Sequence, residues 1–432
     1  MLLGTKDTWG YMKIAITGAG TVSPIGSNCT EFFEAITSDA TGVRSAPWAE
    51  PHAVRPPLFA AVDARFDPLR VLDERLLEGC DTFVAFGISA CDEALMQAGL
   101  RDGSSSGLDP LRTAIVDGTS MGGHYTLMRA QWALETRGPD AVDPKTMMKI
   151  WANMTAAQLS MRYGLHGPSL TVSTACASSL DAIGQAAGMI RSGSVDVALC
   201  GGTEGGFPSD RPDIDGFVPV TSIAGARLGM ESPERDPRLA MLPFDVRRSG
   251  IVFGEGAAWL VLESEEHARG RGARPLAWLR GYGSCADGHH PSSPEPTGRW
   301  ESRAMRLALE DAAVGPTDMD VVVAHATGTP KGDSAEILAI NDVLGDAAPL
   351  VTSVKGHTAH TGAASGAMSA IAAIAAMRSG QLNHTAGTTE VDPDAGFEVV
   401  TSAPRAVDAR FAQINAFGFG GQNSSVVLSR GD

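Results

Sequence analysis

Two stretches of the sequence repeat one another, and this repeat constrains the fold more than any other feature. The segments "SSLDAIGQAAGMIRSG" (178–193) and "SGAMSAIAAIAAMRSG" (365–380) have equal length, both end in "RSG", and each follows a β-type run. A second pair, "DVALCGGTE" (196–204) and "DVVVAHATGT" (320–329), is alike in pattern. Repetition of this kind indicates a duplicated unit. We therefore expect two similar α/β halves that meet near residue 265, with buried Ala-rich and Gly-rich helices between their sheets.

Composition excludes several classes of function. The 432 residues carry a net charge of −16, which argues against a nucleic-acid or anionic-membrane partner. The six cysteines form no CxxC pair and have no metal-ligand spacing, so we expect no metal site and a reducing cytoplasm. The longest apolar run, 366–377, is too short to span a bilayer. Residues 1–12 lack the apolar region of a signal peptide and are predicted to form a short leader.

Cys176 lies where the predicted strand "LTVSTA" ends and the helix "SSLDAIGQAAGMIRSG" begins. Cysteine is often only a small buried hydrophobe, and that reading has to be weighed first. At a helix start, however, unpaired N–H groups and the helix dipole lower the pKa of a thiol and form an oxyanion hole. Cys176 is therefore a candidate nucleophile, and a base should come from elsewhere in the chain.

Two of the ten histidines follow predicted strands and are candidates for that base. His325 closes the strand "VVVAHATGTP", and His360 precedes the second small-residue helix. A lone histidine in such a place is more often structural, but the duplicated architecture brings both turns toward the Cys176 turn. His357 lies one helical turn before His360, and the sequence alone separates the two only weakly.

Four segments that carry these residues resemble a known family: "TVSTACASSLDAIG", "AHATGTPKGDSAE", "SVKGHTAHTGAASG" and "NAFGFGGQNSSVVL". They are similar to the 3-oxoacyl-acyl-carrier-protein synthases, or ketosynthases, of the thiolase superfamily, and the likeness runs from about residue 13 to 429. The resemblance implies an α/β thiolase fold, a five-layered αβαβα sandwich of two duplicated halves. We expect the halves at 13–265, with a cap insertion in 205–240, and at 266–432.

The resemblance also implies a reaction. A free-standing ketosynthase would transfer an acyl chain from a carrier protein to Cys176, and decarboxylation of a malonyl extender would then give an enolate that attacks the thioester. His325 and His360 match the pair that binds the extender carbonyl through neutral Nε–H donors. No cofactor is expected, because the phosphopantetheine arm belongs to the acyl carrier protein.

Further residues take implied roles from the same resemblance. Lys355 matches the lysine that supports the second histidine, with Glu336 as its buried charge partner, and the backbone N–H groups of Cys176 and Phe419 would form the oxyanion hole. Phe419 also matches the aromatic gate beside the nucleophile. Its glycine neighbours would permit the movement of the gate and a close approach of the backbone. The expected contacts to the pantetheine arm or the acyl pocket are Thr327, Thr329, Met121 and Phe417.

Four positions depart from the usual pattern of the family. Gln422 stands for a threonine, "RSG" (248–250) for RDG, "NHT" (383–385) for PPT, and Ala359 for a glycine. These changes favour a type II polyketide, polyene or specialised fatty-acid pathway over housekeeping fatty-acid elongation. A non-elongating acyltransferase and a subunit that needs a partner remain open alternatives.

The expected partners are a second subunit and an acyl carrier protein. The resemblance implies a two-fold dimer, either a homodimer or a heterodimer with a chain-length-factor-like subunit. The predicted helix 69–81 carries Asp73, Glu74 and Glu78 where family members tend to be basic for docking the acidic carrier protein. The basic residues available for docking instead are Arg65, Arg70, Arg247, Arg248 and Arg271.

Overall fold

A computed structural model of the chain describes residues 13–46, 58–101, 107–205 and 219–431. The expected leader (1–12) lies outside this range, as does part of the expected cap. The strands are β1 (Ile14–Val22), β2 (Arg44–Ser45), β3 (Leu58–Phe59), β4 (Thr113–Gly118), β5 (Ser169–Val172), β6 (Val197–Glu204), β7 (Gly256–Ser264), β8 (Ala277–Ala286), β9 (Val321–Val323), β10 (Leu350–Thr352), β11 (Gln381–Leu382), β12 (Glu398–Val399), β13 (Arg405–Ala406), β14 (Phe411–Gly418) and β15 (Gln422–Arg430). The helices are α1 (Cys29–Ile36), α2 (Glu74–Gly79), α3 (Thr82–Ala98), α4 (His124–Arg137), α5 (Thr146–Lys149), α6 (Met154–Tyr163), α7 (Ser178–Arg191), α8 (Val220–Leu228), α9 (Glu265–Gly270), α10 (Arg299–Ala312), α11 (Pro330–Leu344), α12 (Lys355–Thr358) and α13 (Ser365–Ser379).

The sheet topology confirms the duplication. Eleven strands of the described chain form one mixed sheet in the order β12-β10-β9-β14-β15-β8-β1-β7-β6-β4-β5. The strands of the first half lie across the sheet in the order β1, β7, β6, β4, β5. Counted along the chain, these are the first, fifth, fourth, second and third strands of that half. The second half repeats this order with β8, β15, β14, β9 and β10. Parallel and antiparallel pairings also match between the halves. An antiparallel contact between β1 and β8 joins them.

The structure confirms one of the two repeats predicted from the sequence and contradicts the other. The helices α7 and α13 both follow the third strand of their half, so the first match is confirmed. The second match is wrong, because β6 is the fourth strand of its half whereas β9 is the second strand of the other half. Buried parallel strands are short apolar runs that look alike without being equivalent.

Helices α7 and α13 form the middle layer. They contact each other, and each contacts strands of both halves. Almost every residue of α13 is buried, which explains why its sequence is so rich in alanine. Helix α3 covers β1 and β7 on one outer side, and α10 covers β8 and β15 on the other. This arrangement places the start of each middle helix after the carboxyl end of the third strand of its half.

The outer helices approach the sheet closely through glycine in both halves. A Cβ atom added at Gly18 in β1 would lie 2.0 Å from the carbonyl oxygen of Ala94 in α3. At the equivalent place, a Cβ atom on Gly281 in β8 would lie 2.2 Å from the carbonyl oxygen of Ala308 in α10. Real Cβ contacts are never so short, so a larger residue at either strand position would push its helix away from the sheet.

Two expectations about helices, the absence of a membrane span and a helix over 69–81, can be compared with the structure. None of the described helices is long and apolar enough to cross a membrane. The helix predicted over 69–81 is shorter: a 3₁₀ turn covers Pro68–Arg70, and α2 begins only after Asp73. Asp73 caps α2 by accepting a hydrogen bond from the N–H of Leu76 at 2.7 Å, which fixes an extended backbone before the helix.

Candidate active site

Cys176 lies in a tight turn between β5 and α7. A 3₁₀ turn spans Ala175–Ala177, and Ala175 has a positive φ of 50°. The Ser178 hydroxyl fixes the turn, since it accepts a hydrogen bond from the N–H of Thr174 at 2.9 Å and donates to the carbonyl of Ala175 at 2.6 Å. The thiol is therefore held at the start of the helix and is largely buried.

The structure brings the predicted nucleophile and both predicted histidines together. Nε2 of His360 lies 3.0 Å from Sγ of Cys176. One side-chain donor atom each from Cys176, His325 and His360 lies within 4.8 Å of the other two, and the histidine rings meet edge to face at 5.5 Å. Sulfur and nitrogen donors at this spacing are also able to hold a metal ion, although the sequence predicted no metal site.

The protonation of Cys176 differs from the sequence-based expectation. Burial raises the pKa of the thiol to about 11, although the charge of Lys355 and hydrogen bonds from the backbone N–H groups of Phe419 and Cys176 lower it. The helix start was expected to depress this pKa, and that expectation is wrong because desolvation outweighs the helix and the lysine. At neutral pH the resting nucleophile is a thiol, so its proton has to leave as it reacts.

Both histidines are neutral for the same reason. Burial, followed by the charge of Lys355, holds the pKa values of His325 and His360 well below their usual range. Nδ1 of His360 lies 3.0 Å from the hydroxyl of Ser365, which in turn lies 3.1 Å from the hydroxyl of Thr361. This hydroxyl donates or accepts, so it supports either tautomer of His360.

Lys355 contacts the first histidine, which corrects its implied role. Its ammonium donates hydrogen bonds to the carbonyl oxygen of His325 and lies 3.4 Å from Nδ1 of the same ring, whereas its expected partner was His360. This contact makes Nδ1 of His325 an acceptor and leaves the proton on Nε2. Burial lowers the pKa of Lys355 to about 8, so most of its charge remains at neutral pH.

Glu336 holds the backbone around His325. Its two carboxylate oxygens accept hydrogen bonds from the N–H groups of His325 at 2.8 Å and Ala326 at 2.6 Å. Its charge raises the pKa of Lys355, although within the described chain no ion pair of 4.0 Å or less joins the two side chains. The expected charge partnership therefore acts at a distance, and the direct work of Glu336 is to position the His325 turn.

A cavity of about 340 Å³ opens beside these groups. Its wall includes most of the predicted site residues, namely Cys176, His325, Thr327, Thr329, His360, Phe417 and Phe419. The ring of Phe417 lies 5.8 Å from that of His325. Met121 is not part of this wall, and its backbone N–H donates to Glu204 at 3.0 Å. The structure therefore does not bring Met121 to the cavity that Cys176 lines.

The turn after β14 contains Phe419, whose backbone N–H group was predicted to be the second oxyanion donor. The N–H of Phe419 reaches the thiol of Cys176, and the N–H of Cys176 itself does so as well. Gly420 and Gly421 have φ values of 88° and 73°, a region that favours glycine, so the turn needs both. Gln422 follows at the start of β15, and its Oε1 has no hydrogen-bond partner within the described chain.

Other histidine and arginine candidates lie apart from the cavity. His357 is buried with its ring nitrogens 2.8 Å and 3.0 Å from the carbonyl oxygens of Ala40 and His384, which identifies it as the structural member of the His357–His360 pair. Each of the arginines proposed for docking has a carboxylate within 4.0 Å: Arg65 with Asp63, Arg70 with Asp67, Arg247 with Asp245, Arg248 with Asp392 and Arg271 with Glu263.

Three polar residues of the site were missed from the sequence. Ser365 opens α13 and contacts His360, and its position five residues after that histidine is a signal that reasoning could have used. Glu204 ends β6 and accepts hydrogen bonds from the Ser120 hydroxyl and the N–H of Ala363. Glu301 lines the cavity from α10, where no motif marks it.

Comparison with known proteins identifies the family. The N-terminal domain of the beta-ketoacyl synthases matches residues 12–268, and the C-terminal domain matches residues 276–389. The chain is 32% identical over 421 residues to the 3-oxoacyl-[acyl-carrier-protein] synthase 2 of Coxiella burnetii, covering 97% of this chain and 98% of that protein. It is 34% identical over 429 residues to the putative polyketide beta-ketoacyl synthase 1 of Streptomyces cyaneus, covering 96% and 98%. The chain therefore belongs to the beta-ketoacyl synthase family.

Solved structures agree with this assignment. The ishigamide ketosynthase/chain length factor matches with a TM-score of 0.87 and 31% identity, covering 97% of this chain and 99% of that one. A type II PKS acyl-carrier protein in complex with its ketosynthase bound to the hexaketide matches with a TM-score of 0.85 and 26% identity, covering 98% and 100%. The fold is accordingly the thiolase fold of the ketosynthases.

Proposed function

We propose that this chain is a free-standing ketosynthase that catalyses decarboxylative Claisen condensation of a Cys176-bound acyl chain with a malonyl extender on an acyl carrier protein. The observation that carries the proposal is the meeting of Cys176, His325 and His360 in the wall of one cavity. A nucleophile beside a neutral base, with backbone N–H donors on the sulfur, suits acyl transfer. A second neutral imidazole can donate a hydrogen bond to an enolate oxygen.

The first half-reaction loads the enzyme. As Sγ of Cys176 attacks the thioester carbonyl, Nε2 of His360 at 3.0 Å accepts the thiol proton. The N–H groups of Cys176 and Phe419 stabilise the negative oxygen of the tetrahedral intermediate. When that intermediate collapses, the carbon–sulfur bond to the carrier breaks, and the carrier thiol leaves with the proton from His360.

The second half-reaction makes the new carbon–carbon bond. The malonyl carboxylate leaves as CO2, and its bonding electrons form an enolate whose oxygen accepts a hydrogen bond from Nε2 of His325. His360 adds a second hydrogen bond from Nε2 after its proton has moved there from Nδ1, a change of tautomer that the Ser365 hydroxyl allows. Lys355 favours this state because its contact with Nδ1 of His325 leaves the proton on Nε2. The enolate carbon attacks the acyl thioester, and Cys176 departs as a thiolate that takes up one proton. The product is a 3-oxoacyl carrier thioester two carbons longer.

The proposed partners follow from the relatives. One solved relative is a ketosynthase in complex with an acyl-carrier protein, and another is a ketosynthase/chain length factor. Strand β5 lies at the edge of the sheet with Ser169 and Leu170 exposed, which leaves its backbone available for pairing with a second subunit. We propose a dimer through this edge, formed with a second copy or with a chain-length-factor-like subunit, working in the cytoplasm without a cofactor of its own.

The pathway is proposed as type II polyketide, polyene or specialised fatty-acid synthesis. The similarity to a polyketide synthase of Streptomyces cyaneus and to the ishigamide enzyme supports it. Housekeeping fatty-acid elongation is the second candidate, because the relatives named 3-oxoacyl-[acyl-carrier-protein] synthase 2 are 32% identical.

The test is intact-protein mass spectrometry after mixing the enzyme with carrier proteins loaded with acyl chains of graded length and oxidation, followed by malonyl carrier protein. We expect a mass gain on Cys176 and then a 3-oxo product on the carrier. Preference for saturated chains would favour the housekeeping pathway, and preference for unsaturated or oxidised chains the specialised one. Acylation that is never followed by elongation, even with a partner subunit added, would contradict condensation and favour an acyltransferase.

A further inference from the structure

Glu301 is a buried carboxyl group in the wall of the cavity that Cys176 lines. It lies in the first turn of α10, and only 2% of its surface is exposed. Its Oε2 atom is buried and has no hydrogen-bond partner among the described residues. Glu301 therefore belongs to the wall of the cavity that also holds Cys176, and the mechanism above does not use it.

The surroundings of Glu301 favour its uncharged form. Burial, followed by the nearby acidic groups of Glu336, Asp287, Asp333 and Glu295, raises its pKa well above the usual range. A protonated carboxyl group offers one O–H donor together with acceptor oxygens. A protonated Glu301 can therefore form hydrogen bonds with a neutral ligand group that has both a donor and an acceptor. A ligand carboxylate or phosphate is disfavoured because the neighbouring side chains are acidic.

An unpartnered polar atom in the interior costs free energy, and an apolar side chain of similar size would avoid that cost. On the basis of the function proposed above, we propose that Glu301 is a specificity-determining residue that hydrogen-bonds a neutral polar group of the thioester substrate, namely an amide of the pantetheine arm or an oxygen substituent of the acyl chain. The two sources share one chemistry, and they are separated by the choice of substrate.

The experiment compares Glu301→Gln, which keeps a neutral hydrogen-bonding group, with Glu301→Met, which removes it at similar length. The matched control is Glu310→Met on the same helix, where the exposed side chain of Glu310 pairs with Arg303 at 3.3 Å and is not part of the cavity wall. Each protein is acylated with carrier-bound, N-acetylcysteamine and propanethiol thioesters. Each thioester is tested with a plain and with a 3-hydroxy acyl chain, and kcat and KM are measured from loading of Cys176.

We expect Glu301→Met to lower kcat/KM by about tenfold only for substrates that carry the contacted group. Glu301→Gln should stay within about threefold of the wild type, and Glu310→Met should be unchanged. A loss confined to the amide-bearing thioesters assigns the arm, because propanethiol esters have no amide. A loss confined to 3-hydroxy chains assigns the acyl oxygen.

An equal effect of Glu301→Met on every substrate, or no effect at all, would overturn the proposal, since a carboxyl group that serves packing or ordered water alone does not discriminate between thioesters. Thermal unfolding of each variant checks the fold, and Glu301→Ala replaces the methionine variant if that protein does not fold. Failure of the wild type to load any thioester would instead contradict the proposed function, independently of Glu301.

Discussion

The two halves of the molecule connect their third strand to a middle helix in different ways. In the first half, residues 173–177 join β5 to α7 and provide Cys176. In the second half, residues 353–364 join β10 to α13 and provide Lys355 and His360. Both connections occupy the same position in the repeated strand order, so they start from the same scaffold.

The difference in length separates the two chemical roles. The short connection provides one thiol, which receives hydrogen bonds from the backbone N–H groups of Cys176 and Phe419. The long connection buries an amine and two imidazoles, and this desolvation lowers the pKa values of Lys355, His357 and His360. Burial also raises the pKa of Cys176, so the nucleophile and its base both rest in their neutral forms. The duplicated strands and helices therefore provide the same frame in both halves, while the extra residues of the longer connection provide the polar groups.

The largest expected effect comes from removing the group on the short connection. Cys176→Ala should lower condensation to below about one thousandth of the wild type, because no covalent acyl intermediate can form. The measurement is the mass of the protein after incubation with acyl carrier protein, followed by product analysis. The control is Cys200→Ala, a buried cysteine in β6 outside the cavity. Retained acylation in Cys176→Ala would show that another side chain is the nucleophile.

The histidines should separate the two half-reactions. His360→Ala should slow both loading and condensation by about 10²-fold or more, because the base and an enolate donor are lost together. His325→Ala should slow condensation by a similar factor but leave loading within about tenfold, since His325 does not contact the thiol in the described structure. Single-turnover measurements of each half-reaction test this.

His357→Gln provides the matched control for these variants. Because the ring nitrogens of the buried His357 lie 2.8 Å and 3.0 Å from the carbonyl oxygens of Ala40 and His384, one of which accepts its N–H, we expect lower stability and an unchanged rate per folded enzyme. Equal slowing of loading in the His325 and His360 variants would contradict the division of labour between the two histidines.

The pH dependence of alkylation tests the charge state of the short connection. With a thiol pKa of about 11, the rate of reaction of Cys176 with iodoacetamide should rise about tenfold per pH unit from pH 6.5 to 8. Above pH 8 the rise should lessen, because Lys355 loses the charge that favours the thiolate. A plateau of the alkylation rate near pH 7 would instead show that the pKa of Cys176 is depressed, as its position at a helix start had led us to expect.

Lys355→Met links this prediction to the long connection. Without the ammonium group the pKa of Cys176 should rise further, so alkylation should be about tenfold slower at pH 7, and the difference should disappear above about pH 9. Mass mapping assigns the alkylated site, because five other free cysteines are present. A constant ratio of the two rates at all pH values would exclude a charge effect.

The sequence predicted the parts of the site that lie on single motifs. Cys176, His325, His360 and the Phe419 turn were placed correctly at the cavity because each follows a strand in a recognisable segment. The protonation of Cys176 could not be read in the same way, since it depends on how deeply the completed fold buries the thiol. The contact of Lys355 with His325 also depends on side-chain packing between two connections that are far apart in the chain.

The fold was predictable where a repeat had distinctive chemistry and not elsewhere. The Ala-rich middle helices α7 and α13 stood out because they are buried from both sides. The apolar strands β6 and β9 were matched wrongly, because strand order is set by pairing that a local pattern does not encode. Glu301 lies on an otherwise ordinary amphipathic helix, so only the assembled cavity reveals it.

The smallest expected effect concerns the backbone before each reacting residue. Ala359, before His360, has φ 55° and ψ −164°, a region that is almost restricted to glycine and costs about 1–3 kcal/mol for other residues. Ala359→Gly should relieve this strain but lose about 0.8 kcal/mol of buried methyl and about 0.4–1 kcal/mol through the freer unfolded chain. The middle of each range leaves a net gain of about 0.5 kcal/mol, measured as the urea midpoint of unfolding. Ala175→Gly, before Cys176, is the matched change on the short connection, where φ is 50°. A larger gain for Ala175→Gly than for Ala359→Gly would show that the short connection, and not the long one, holds the more strained backbone.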